Sequence, residues 1–188
     1  MARDTFSRSL HDIGLAAWFG GTLANAVALN PAAGEAGGPS GIGRVANVGW
    51  NRWTPVNAAA IGVHLIGSVG LLNANRGRIV VQRGVASMTL VKTALTAAAL
   101  GVTAYSRILG RNVAKETDVP VASATEPSTG TPPDVTKAQK QLRVLQWTVP
   151  ALTGAIVVIN AFAGEQQRAS EVQKGVLARL SRWLAVPS

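Results

Sequence analysis

The 188-residue chain contains no cysteine, which excludes disulfides, thiolate nucleophiles and cysteine-ligated zinc or iron–sulfur centres. Histidine occurs only as His11 and His64. A membrane haem held by two histidines needs them at matching depth on facing helices. His11 reads as a helix end and His64 as mid-span, so no haem is expected. No aspartate or glutamate falls inside a long apolar run, so the membrane carboxylate of a proton-driven pump is missing. There is no nucleophile–base–acid set, no metal-ligand spacing and no phosphate-cradling glycine loop ahead of a helix. The glycines at 37–43 lead instead into a tryptophan-bearing stretch. These absences point away from an enzyme and imply no cofactor and no metal.

Charge is scarce as well, at 14% of residues against 47% hydrophobic. The apolar residues gather into four runs, about 13–29, 56–72, 85–109 and 145–163. Each has the length needed to cross about 30 Å of hydrocarbon. A soluble bundle would carry a charged stripe along every helix, and none of these runs has one. The expected fold class is therefore all-α, a four-span transmembrane helix bundle over residues 1–164. A C-terminal amphipathic helix lying at the membrane interface is expected over 165–188. The net charge of +9 and pI near 11.3 would suggest nucleic acid in a soluble protein. Here the bases flank the spans, where they meet anionic headgroups. The expected partner is the lipid bilayer, not nucleic acid.

Along the chain, Arg3, Arg8 and the small residues Ala26-Val27-Ala28 mimic a signal peptide. Gly20-Gly21 and Asn25 make a poor core for one, so the segment reads as a retained first span. Its small residues suit close helix packing in lipid, and Asn30-Pro31 is expected to stop it. Residues 31–55 read as a glycine-rich loop. At its end Trp50 and Trp53 bracket Arg52, the pattern of an interfacial anchor, with a ligand-binding loop as the alternative. The turn at 73–84 carries Arg76, Arg78 and Arg83 and no acid. Residues 110–144 form an extended polar loop, unstructured at 121–133 and helical from 134 to 143 ahead of the last span. In the tail, Val172, Val176, Leu177, Leu180, Trp183 and Leu184 recur on one helical face, apart from Lys174, Arg179 and Arg182, as in a surface-lying amphipathic helix. The other reading of this tail is docking on a partner.

The flanking bases divide nine to eight between the two sides, so the positive-inside rule alone does not orient the bundle. The acid-free turn favours cytoplasmic termini in a multi-pass plasma-membrane protein. Trp50, Trp53, Tyr105 and Trp147 then fall at one interface, and Trp18 and Trp183 nearer the other.

The candidate intramembrane polar site is His64, Lys92, Asn25 and Asn160. If spans two and three form an antiparallel hairpin, His64 and Lys92 each lie roughly 10–12 Å in from the same end and could face one another. A neutral His64 beside Lys92 would suit a proton relay or an anion site. The alternative is structural: Lys92 snorkels to the headgroups and His64 bonds a neighbouring helix.

Ala17-Trp18-Phe19-Gly20-Gly21 resembles the first-helix pattern of DoxX-like and similar small four-span bacterial membrane proteins. The stretches 49–57, 145–154 and 164–168 resemble an uncharacterised four-helix membrane protein family of actinobacteria, a likeness that implies no activity and transfers no catalytic residue. Three functions follow as expectations. The first is a non-enzymatic scaffold or accessory subunit, self-associating as a homo-oligomer or joining a larger membrane complex. The second is a small transporter or channel around His64 and Lys92. The third is an accessory subunit beside a quinone or lipid site, with Trp50, Arg52 and Trp53 at the interface.

Overall fold

The computed structural model describes residues 4–81, 83–116 and 118–165. Helix α1 (Thr5–Ala24) runs through a π-helical turn (Asn25–Leu29) into the short α2 (Asn30–Gly34). Then follow α3 (Gly38–Val81), α4 (Arg83–Val113) and α5 (Pro133–Glu165). Four helical stretches, Thr5–Gly34, Gly38–Gly77, Gly84–Val113 and Pro133–Phe162, are long and apolar enough to cross a membrane. This is the architecture of an all-α, multi-pass membrane protein. The tail expected to be amphipathic lies, from residue 166 on, outside the described residues.

The helices are longer than the apolar runs, and several expectations change; the turn expected over 73–84 is itself helical, with α3 running to Val81 and α4 starting at Arg83. Asn30-Pro31 does not end the first helix. Pro31 has no N–H to return to residue 27, and its ring would clash with that carbonyl; the preceding turn widens, and the Asn30 N–H bonds the carbonyl of Asn25, five residues back. The glycine-rich stretch is not a loop either, because α3 begins at Gly38 and passes through Pro55. Gly38 takes a positive φ of 73°, and Pro39 follows in the first turn, where a missing N–H costs nothing. Gly49 receives the Leu29 side chain, with no room for a Cβ, so tertiary packing overrides glycine's poor helix propensity. Finally, α4 runs on to Val113, past the expected start of the polar loop at 110, while the helix expected from 134 is the first part of α5, which starts at Pro133.

That connection is folded despite its composition. The Ala122 and Ser123 N–H groups donate to the Glu126 carbonyl, and Val121 forms a bridge with Pro127. Thr131 donates its hydroxyl to the Pro120 carbonyl. The Gln139 side-chain amide of α5 donates to the Ser123 carbonyl. Val121 and Ala124 pack on Ala33, Ile42 and Ala46, closing that end of the molecule.

Helix α1 pairs with α3 in antiparallel register: Gly67 meets Ser7 and His11, Gly14 meets Ala60 and His64, and Gly21 meets Trp53. Backbones approach this closely only where one partner lacks a side chain. Helix α1 also packs on α5, and α5 on α4, whereas α3 and α4 touch little despite being consecutive. The order around the bundle is thus α3–α1–α5–α4, with an open seam between α4 and α3. Trp18, Ala99 and Val149, with Ile61, Leu100 and Leu152 against them, form the central core.

Candidate functional site

The seam between α3 and α4 widens into a cavity of about 870 Å³, within the range of small-molecule sites. Its inner floor is apolar, made of Ile61, Leu100 and Val149 from the central core. Its outer end is closed by Ile42, Ala46, Val121 and Ala124 under the folded connection. Between them lie polar side chains from all four long helical stretches.

On the α1 side the polar groups are fixed. The Trp50 indole N–H donates to Asn30 Oδ1 at 3.0 Å. Asn30 Nδ2 in turn donates to Gln146 Oε1 at 2.8 Å. Asn30 is 2% exposed, so this chain ties α2, α3 and α5 together where unpaired amides would be costly. Towards the seam they are not fixed. Asn57 Oδ1, Thr103 Oγ1, Trp53 Nε1 and Gln139 Oε1 are buried with no hydrogen-bond partner among the described residues. Asn57 is 8% exposed and Gln139 1%. Arg107, half-buried on α4, donates to Asn51 Oδ1 of α3 at 2.9 Å, bridging the seam. It has no acidic partner among the described residues.

The four residues expected to form one polar site are divided among the helices. His64 is fully buried and turns to α1, its Nδ1 donating to the His11 carbonyl at 3.1 Å. Its ring contacts that of His11, with centroids 4.4 Å apart, and meets Trp18 edge-on at 6.1 Å. His11 is therefore no isolated helix end but lies at the level of His64, because α1 starts eight residues before the apolar run suggested. His11 Nδ1 pairs with the Asp12 carboxylate at 2.8 Å. Two imidazoles in direct contact leave no gap for a porphyrin between them. Lys92 turns the other way, to α5, and donates to Asn160 Oδ1 at 3.2 Å. Asn25 is buried in the π-helical turn, its Nδ2 unpartnered among the described residues.

Of the expected interface anchors, Trp50 and Trp53 line the cavity, Arg52 is exposed, and Trp147 is half-exposed. Trp183 lies outside the described residues. Trp18 is at the centre of the core. Sequence reasoning missed Asn30, Asn57, Thr103, Arg107, Gln139 and Gln146. The available signal was spacing: Trp53 and Asn57, and Thr103 and Arg107, each lie four apart and share a helical face. No family model, curated protein or solved structure matches the chain.

Proposed function

We propose that this protein is a non-enzymatic accessory subunit of the plasma membrane, with cytoplasmic termini, which holds a membrane amphiphile between α3 and α4. The observation that carries this reading is the cavity itself. It is apolar at its floor, lined with convergent polar side chains and open along a seam between two of the helices long and apolar enough to cross a membrane. Such a site suits a ligand that is apolar at one end and polar at the other.

An accessory role draws support from α4, whose Leu90, Val91 and Ile108 are exposed. This face is available to lipid, a second copy or a larger complex. The transporter reading rests on Lys92 and Asn160, which bond across α4 and α5. His64 does not extend that pair, because it is committed to the α1 backbone in a packing role.

The test is purification of the full-length protein from its own membranes in mild detergent, with quantification of co-purifying lipids and proteins. The reading expects an amphiphile at a fixed ratio to protein that survives repeated detergent exchange. Protein free of any retained amphiphile would contradict it.

A further inference from the structure

The polar groups along the seam are ordered by depth, and that order describes a ligand. At the outer level, Arg107 reaches across to Asn51. Its guanidinium has five N–H donors, and the Asn51 bond uses one of them. One turn deeper on α4 is Thr103. Facing it on α3 are Trp53 and Asn57, one turn apart. Each of these three has a buried polar atom without a partner among the described residues. Deeper still, Ile61 and Leu100 are purely apolar. Charge, then neutral polar groups, then hydrocarbon follow one another along the helix axis.

This is the profile of a glycerolipid: phosphate, ester linkage, acyl chain. We propose that the cavity binds an anionic glycerolipid, with its phosphate on Arg107 and its esters beside Thr103, Trp53 and Asn57. The acyl chain runs inward past Ile61 and Leu100. The Thr103 O–H and Trp53 N–H donate to ester carbonyls, and the Asn57 amide turns whichever end the ligand requires. Charge complementarity sets the headgroup. The cavity's other charged residues are exposed: Arg44, about two turns beyond Asn51 on α3, and Glu116 and Asp118, past the end of α4. The Arg107 guanidinium is thus the charge at the level of Asn51. Access is lateral, through the seam that α3 and α4 leave open. The proposal rests on the cavity being a ligand site and adds the ligand's class.

The experiment uses the full-length protein, stripped of lipid and titrated with phosphatidylglycerol, phosphatidylcholine or palmitate under native mass spectrometry. Wild type should bind phosphatidylglycerol about tenfold more tightly than phosphatidylcholine, the scale of one charge-assisted hydrogen bond. Arg107→Gln should erase that preference and Arg107→Lys should keep much of it, each variant eluting like wild type with unchanged helicity. A preference that survives Arg107→Gln, or no preference in wild type, overturns the headgroup assignment. Palmitate binding as tightly as phosphatidylglycerol overturns the ester level and makes the ligand a fatty acid. Ile61→Trp separates the two layers of the argument. If it abolishes binding of lipids that wild type does not discriminate, the cavity stands and the anionic assignment fails. If every lipid still binds to Ile61→Trp, the cavity itself is not the site.

Discussion

Asn51 of α3 and Arg107 of α4 are joined by a single hydrogen bond of 2.9 Å across the seam. They sit fifty-six residues apart in the chain, at the level where the two helices are otherwise separated by the cavity. The bond is exposed, so it orients the guanidinium more than it holds the helices. Asn51→Ala should cost below about 1 kcal/mol of stability and weaken lipid retention less than Arg107→Gln does. Thermal unfolding in detergent and lipid quantification measure both.

The α1–α3 contact depends on glycine. A Cβ at Gly14 would collide with the Ala60 carbonyl and the His64 backbone, and one at Gly67 with Ser7 and His11. Neither neighbour is a side chain that could rotate away. Gly14→Val should therefore destabilise by at least the about 1–3 kcal/mol typical of overpacking. Gly20→Val, where the added atom meets nothing, should be far milder. Melting temperatures of the pair in one detergent make the comparison.

Asn30 is the hub of the buried amide chain, accepting from Trp50 and donating to Gln146. Asn30→Ala strands both partners and should cost about 1–3 kcal/mol. Gln146→Ala should lose less, and the double variant less than the sum of the two. A double-mutant cycle on thermal stability gives the coupling, and additive losses would mean that the bond contributes nothing.

The apolar runs made four helices legible because a membrane forces every backbone group to be satisfied within its own segment. What was not legible was where the helices end. Gly38, Gly41, Gly43 and Pro55 look like a loop by local propensity, yet the packing of Ile42 and Ala46 on Ala33 and Val121 holds that stretch helical. Pro31 looked like a stop, and a widened turn absorbs it. Chain proximity likewise suggested that His64 and Lys92 face each other across a hairpin. The order of helices around the bundle put α1 beside His64 and α5 beside Lys92 instead, and nothing local in the sequence encodes that order. Arg107 falls near the end of the expected third span, and only the order of the helices gives it a place in the cavity wall.

Lys92 bonds Asn160 in the half-buried contact between α4 and α5. Interhelical hydrogen bonds in membranes contribute about 0.6 kcal/mol on average, so Lys92→Met should leave expression and melting temperature near wild type. In reconstituted vesicles the variant should show the same ion and solute flux as wild type. A flux present in wild type and abolished by Lys92→Met would favour the transporter reading over the accessory one.

The central claim, that the seam between α3 and α4 holds a membrane amphiphile, is tested most directly by photolabelling. The unmodified full-length protein is placed in bilayers containing a phospholipid with a photoactivatable acyl chain, irradiated, and the labelled residues mapped by mass spectrometry. The account predicts saturable labelling of Ile61, Leu100 and Thr103 on the inner wall, beyond the general labelling of outward-facing Ile66, Val69, Leu90 and Phe162. Label confined to those outward-facing residues at every lipid concentration would contradict it.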